Sequence, residues 1–501
     1  MRLKPLAALL AGLALAGGAH AAAPLSFNKL WTYNHGSVAS EIPAYDSLTN
    51  TVWVAGVSGV DVIDATTGSL VESIDTAAYG NINSVSIFNG KAAMAFENSS
   101  DRALAGQVVF FDTVSRTQAG AAIGVGPLPD MLTFTPDGSK LLVANEGSPA
   151  FDDVSEKYSG LDVAGSVSIV DMNTMSVTTV GLGGVPQTGS AIRTGLTTTN
   201  LQGNSITLDF EPEYIAVNAA GTQAFVTLQE ANAMGILDLG TQQFTSVVGL
   251  GLKDFNSAAN GIDVNKNDGA GPLVPVDLKG LYQPDAIAAY QAGGQTYLVM
   301  ANEGDSLEDG GDEVDAEDVS GATVPAGGNK LTVSAPDSDA NGLVAFGGRS
   351  FSIRDTSGNI VFDSGNTLEA EAILRGIYAD GRSDNKGVEP EGVELMEIGG
   401  RMYAFIGLER TTESAVAIYD ITDPATASFV DMIVSTTGDV SPEGLKAFSM
   451  GGQTYLAIAN EVSNTTSLYS LAPVPEPETW AMLLAGLGLV GFMARRKARR
   501  G

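Results

Sequence analysis

The sequence predicts an all-β protein, a seven-bladed β-propeller closed by its own N-terminal strand. Three observations carry that expectation. Gly makes up 60 of the 501 residues, charged residues 17% and hydrophobic residues 44%, a balance found in loop-rich β proteins and not in disordered chains. Short apolar or alternating runs recur between Gly, Pro, Asn and Asp clusters. A three-strand unit also repeats along the chain, the signature of a radial or stacked architecture.

The unit is clearest over 387–421, GVEPEGVELMEIGGRMYAFIGLERTTESAVAIYDI. Strands read over 391–397, 402–408 and 415–419, and Gly399-Gly400 turns the first into the second. Glu391 opens the first strand and Glu409 closes the second. Antiparallel pairing therefore sets both acids at one edge of the sheet.

In chain order, residues 1–21 read as a signal peptide. Arg2 and Lys4 precede an apolar run over 6–16, and Ala19-His20-Ala21 offers a cleavage site. Residues 25–471 hold seven copies of the unit. First strands open at Glu41-Ile42, Asn83-Ser84, Pro129-Asp130, Pro212-Glu213, Pro284-Asp285, Pro390-Glu391 and Pro442-Glu443. Second strands end at Glu97, Glu146, Glu230, Glu303, Glu409 and Glu461. Asp285 to Glu303, Glu391 to Glu409 and Glu443 to Glu461 are each 18 residues. Third strands read over 108–112, 166–171, 234–238 and 350–354, and fourth strands over 118–124, 177–181 and 360–363. The seventh copy lacks a fourth strand. The segment 25–33, LSFNKLWTY, lacks a partner and is expected to supply it, with Leu30 and Trp31 as apolar faces. The charge-poor 181–205, the 253–279 segment with its Asp263–Gly269 turn, and the acidic 305–318 read as loops.

Composition excludes several chemistries. Formal net charge is −32, which repels nucleic acid and anionic membranes and attracts cations. There is no Cys, and only His35 remains after the leader. Zinc, copper and haem sites built on thiolate and imidazole fall away, and a Ser-His-Asp triad would depend on His35 alone. A metal here must bind through oxygen, which points to calcium or magnesium.

The C-terminal 474–501 begins Val474-Pro475-Glu476-Pro477-Glu478. An uncharged span over 479–494 follows, then Arg495, Arg496, Lys497, Arg499 and Arg500. This order resembles the PEP-CTERM sorting signal of Gram-negative bacteria. The resemblance implies a short transmembrane segment held transiently in the inner membrane and recognition by an exosortase. The product would be released to the cell surface or exopolysaccharide matrix, or else remain a single-pass anchored protein. DGRSDNKGVEPEGVE, YAFIGLERTTESAVAIYDITDP, QPDAIAAY with MANEGDS, and SPEGL with AIANEVSNTTSLY resemble the choice-of-anchor I family over about 28–471. That family consists of exported bacterial propellers, some of them called alkaline phosphatase-like. The chain departs from the family after Asn302-Glu303-Gly304-Asp305, where acids replace Arg and aromatic residues.

Laid on such a scaffold, Glu41, Asp130, Glu213, Asp285, Glu391 and Glu443 form one ring. Glu97, Glu146, Glu230, Glu303, Glu409 and Glu461 form another beside it. Two like charges about 6 Å apart repel by about 3 kcal/mol at an effective dielectric near 20. Cations, raised pKa values, or the local bases Arg382, Lys386 and Arg410 must relieve that repulsion. The expected metal ligands are Glu41, Asp130, Glu213, Asp285, Glu303, Glu391, Glu409, Glu443 and Glu461, for calcium or another divalent cation. Backbone capping by the same acids is the plainer alternative. The function expected is a non-catalytic, cation-stabilised binding or structural module that holds polysaccharide or a surface protein. The catalytic alternative is a calcium-dependent phosphomonoesterase, with Glu391 on the metal and Arg382 and Arg410 clamping phosphate.

Overall fold

A computed structural model describes residues 24–152, 157–203, 205–207, 210–306 and 311–474. The leader read over 1–21 and the apolar span read over 479–494 lie outside the described residues. Within them, no helix is long and apolar enough to cross a membrane.

The protein is all-β, and seven of its sheets repeat one plan. In the sixth, Pro390–Ile398, Arg401–Leu408, Ala415–Asp420 and Ser428–Val434 follow one another in antiparallel order. Gly399 and Gly400 turn the first hairpin with φ of 63° and 81°, angles that residues with a Cβ adopt poorly. The first strands of the seven sheets are Ile42–Asp46, Ile82–Phe88, Pro129–Phe134, Ile215–Val217, Ile287–Ala292, Pro390–Ile398 and Pro442–Met450. Each packs beside the first strand of the next sheet, and the seventh packs beside the first.

Apolar cores fill the spaces between successive sheets. Trp53, Met94 and Phe96 join the first sheet to the second, and Phe351, Ala404 and Tyr419 join the fifth to the sixth. The cycle ends where Phe448, Ala457 and Leu468 of the seventh sheet meet Val52, Val54 and Ile63 of the first. Middle strands thus have a core on each face. This is why Thr51–Gly56 is buried at every position and reads as an unbroken apolar run.

The seventh sheet takes its fourth strand from the other end of the chain. Leu25–Asn34 pairs antiparallel with Thr465–Pro473, and the register shifts between Lys29 and Trp31. That bulge reverses the alternation. Leu25 and Phe27 face the core shared with the sixth sheet, whereas Trp31 and Tyr33 face the core shared with the first. Leu30, expected as an apolar face, is the bulged residue and is 48% exposed.

Two further expectations are corrected. The fourth strand read over 118–124 is two pieces, Thr117–Gln118 and Ile123–Pro127, because Gly120 breaks it at φ 94°. The loops read over 253–279 and 305–318 contribute to a separate five-stranded sheet. It has its own core of Phe255, Ile262, Leu278, Leu331 and Val333. Part of it enters between Gln295–Asn302 and Ser350–Asp355, the second and third strands of the fifth sheet.

Third strands often end in an Asp that caps the turn to the fourth. Asp64 accepts from the amides of Thr66 and Thr67, Asp171 from Asn173 and Thr174, and Asp238 from Gly240 and Thr241. These backbone bonds hold the carboxyls of Asp171 and Asp238 below the usual range. Capping by acids is thus concentrated at these turns, away from the rings.

Candidate acidic cation site

The ring acids are placed by a local backbone device. Leu128, Gln283, Glu389 and Ser441 have φ of 44°, 42°, 47° and 61°, and each precedes the Pro of a Pro-acid pair. Positive φ is unfavourable for residues with a Cβ, and such strain gathers at functional sites. A bulge follows at the acid: the register breaks between Pro129 and Leu132, Pro390 and Val393, and Pro442 and Leu445. The bulge frees the acid from ladder alternation, and Asp130, Glu391 and Glu443 line a central cavity.

The Gly of Pro-Glu-Gly completes the device. A Cβ on Gly392 would overlap the Glu443 carbonyl oxygen, and one on Gly444 the Glu41 carbonyl oxygen. Only Gly lets adjacent first strands approach so closely. Gly444→Ala should therefore cost about 1–3 kcal/mol, the scale of an overpacked core. Gly183→Ala, where a Cβ meets nothing within 4 Å, should be near neutral. Urea unfolding of the two variants checks this; equal midpoints would show that the strands yield.

The cavity holds about 280 Å³ and is lined by Asp130, Glu146, Glu213, Glu230, Asp285, Glu303, Asp305, Glu391 and Glu443, with Asn83 where the seventh acid would stand. Ile42, Met131, Tyr214, Val393 and Leu445 separate it from a second cavity deeper along the first strands. On the other side an open cleft of about 700 Å³ shares Asn83, Asp130, Glu146 and Glu443 with it and adds Glu41, Glu97 and Arg102.

Burial and mutual repulsion raise these carboxyls together. Glu41, Glu230 and Glu409 rise to about 7, Glu146 to about 8 and Asp130 to about 6, with burial the first cause in each. Glu213, Asp285, Glu391 and Glu443 lie well above the ordinary carboxylate range, through burial and then the neighbouring acids. The Oε2 atoms of Glu213, Glu230, Glu391 and Glu443 are buried without a hydrogen-bond partner. Such oxygens need a proton or a cation. Asp285, Glu303 and Glu391 each bring one oxygen within 4.8 Å of the other two. That is an all-oxygen set suited to a hard cation.

The sequence-derived ligands fall into four groups. Asp130, Glu213, Asp285, Glu303, Glu391 and Glu443 converge on the cavity, as do Glu146 and Glu230. Glu41 lies in the cleft beside Glu443, and Glu97 there takes a bond from Asn81 and faces Arg102 at 3.8 Å. Glu409 lies outside the cavity, in a second set with Glu303 and Glu389. Glu461 is exposed and acts on Glu41 and Glu443 through its charge.

Glu389 is the residue sequence reasoning missed. It is 1% exposed and stands on the other side of Pro390 from Glu391, so the Glu-Pro-Glu triplet was its signal. All three expected bases turn to it. Arg382 Nε donates to Glu389 Oε1 at 2.7 Å, Lys386 Nζ lies 3.5 Å from Oε2, and Arg410 Nε lies 3.8 Å from Oε2. Arg410 also pairs with Glu409 at 2.9 Å. The two guanidiniums read as a phosphate clamp thus already face carboxylates.

Two other readings are located. His35 bridges Asp61 at 2.9 Å and Thr466 at 2.8 Å, and Ser40 touches Thr466 at 2.8 Å. His35 is 5% exposed and both hydroxyl residues are fully buried, so this chain of bonds ties strands together with no opening for a substrate. Asp263 accepts from the amides of Asn265 and Gly271, the bonding of a turn. Asp263, Asp268 and Asp380 do approach one another.

Fold and site together define an all-β protein built around an acidic cavity. The choice-of-anchor I domain model matches residues 41–424, and the chain belongs to that family. The PEP-CTERM protein-sorting motif matches residues 473–497, a signal read by exosortases that marks an exported, surface-anchored protein. No curated protein matches the chain in sequence. Among solved structures, hydrazine synthase of Kuenenia stuttgartiensis is similar at 12% identity and a TM-score of 0.48, over 87% of this chain and 98% of that one. That likeness is too distant to bear on chemistry.

Proposed function

We propose that this protein is a seven-bladed β-propeller, closed by Leu25–Asn34, that works as a non-catalytic binding or structural module on the surface or in the exopolysaccharide of a Gram-negative cell. A divalent cation, calcium by preference, would be held at Asp285, Glu303 and Glu391. The observation that carries this reading is the convergence of buried, partnerless carboxylate oxygens on one cavity. The engagement of Arg382 and Arg410 by Glu389 favours it over the phosphomonoesterase reading, which needs those guanidiniums for phosphate.

The strand directions add an orientation. First strands start and second strands end at the acidic mouth, so Thr465–Pro473 starts near it and runs away, and Leu25 pairs with Pro473 at the far end. Both ends of the folded body therefore leave from the face opposite the cavity. A chain tethered through its C-terminal tail would hold the acids toward its surroundings.

Calcium should raise the melting temperature and chelator lower it. Binding to the folded state alone adds about 2.7 kcal/mol at a hundredfold excess over Kd, or about 3 °C for a chain of this size. Glu391→Gln and Glu443→Gln should each blunt the gain, and Asp263→Asn should leave it intact. Identical melting in calcium and chelator, with no divalent metal by elemental analysis, would return these acids to a structural role.

A further inference from the structure

We infer that Lys386 is a built-in counter-ion occupying a second divalent-cation position, whose removal would turn a one-ion centre into a two-ion centre bridged by Glu303. This rests on the cation reading above and deepens it. Two oxygen clusters share one residue: Asp285, Glu303 and Glu391 form the first, and Glu303, Glu389 and Glu409 the second, each within 4.8 Å. The second is the more deeply buried, with Glu389 1% and Glu409 8% exposed. Glu389 Oε2 is buried there and receives no hydrogen bond. The Lys386 ammonium lies against two of the three acids of this set. It lies 3.5 Å from Glu303, 3.5 Å from Glu389 and 3.8 Å from Asp305, and it donates to the Gly304 carbonyl at 2.7 Å.

Charge explains why one cluster keeps a tethered cation and the other is left for a free one. Glu303, Asp305, Glu389 and Glu409 carry four negative charges when ionised, against three positive charges on Lys386, Arg382 and Arg410. Without Lys386 the balance is minus two, which one calcium ion would cancel. Carbonyl and carboxylate oxygens are also the ligands calcium accepts. The first cluster meets Lys386 only through the shared Glu303, and its acids stand in the cavity.

Equilibrium dialysis with calcium, followed by elemental counting, tests this. The parent should hold one calcium per chain at this centre, Lys386→Met two, and Lys386→Met with Glu389→Gln one. Lys386→Met should lose its fold in chelator and regain it in millimolar calcium. A folded Lys386→Met chain with one calcium would overturn the inference and leave the parent site standing. A Lys386→Met chain still unfolded at saturating calcium would overturn it too, because an ion in that place should replace the ammonium. No calcium in the parent would sink the cation reading itself.

Discussion

Deleting residues 25–33 should strip the protein of most of its thermal stability and make it aggregate. The segment buries Leu25 and half-buries Phe27, Trp31 and Tyr33 against two different cores. At about 1.5–3 kcal/mol for full burial of a large apolar side chain, and about half that for the three that are half-buried, the loss is on the order of 4–7 kcal/mol, comparable with the whole net stability of a domain. Polar ties go with it. Lys29 Nζ donates to Asp439 at 2.6 Å and Trp31 Nε1 to the Ala65 carbonyl at 3.0 Å. Asp439 is 2% exposed and also accepts from Ser435 and Ser467, so losing Lys29 leaves a buried carboxylate without its counter-charge. Deletion also bares the long edge of Thr465–Pro473, a template for pairing with another chain. Differential scanning calorimetry and light scattering read both effects. A truncated protein that melts with the parent would show that the seventh sheet stands on three strands.

That closure was legible in the sequence because the last copy stops after its third strand, where the tail begins, and LSFNKLWTY had no neighbour of its own. The bulge at Leu30 was not, since a one-residue shift leaves no trace in composition. The ring acids were legible through the Pro-acid repeat and its 18-residue spacing, which reports hairpin length. Their separation into a cavity set and a Glu303–Glu389–Glu409 set was hidden, because Glu303 and Glu409 each follow directly on their second strand and position along the strand does not tell them apart. Glu389 was hidden for a different reason. It precedes Pro390 at φ 47°, and alternation rules do not apply to a residue in that conformation. The five-stranded insertion escaped because its strands are mostly three residues or fewer, too short to set a period.

In chelator, stability should fall as pH rises from about 4 to about 8, the reverse of an ordinary salt-bridged protein. The sign follows from the acids in and around the cavity. Glu41 and Glu409 at about 7, Glu146 at about 8 and Asp130 at about 6 keep protons in the folded state. The unfolded chain releases them near pH 4. The folded state therefore binds more protons across that window, and the free energy of unfolding declines with pH until the folded groups have titrated. Asp439 works the other way. Its carboxyl is held near 2 by Lys29 and neighbouring hydroxyls despite its burial, so its contribution is present above about 4 and lost only as pH falls through about 2. The two windows barely overlap, which leaves the acids in and around the cavity to set the slope above pH 4. A melting temperature about 5 °C lower at pH 8 than at pH 5 is expected in chelator. Saturating calcium should reduce that difference, because a cation at Asp285, Glu303 and Glu391 offsets the charge that the neighbouring acids take on as they ionise. Glu41→Gln should match the parent at pH 5 in chelator and melt above it at pH 8, where the parent carries the extra charge. Melting curves over pH 4–8.5, with calcium and with chelator, read all of this. A melting temperature that climbs with pH in chelator would mean that the acids ionise without penalty, and the cavity would then have no need of a cation.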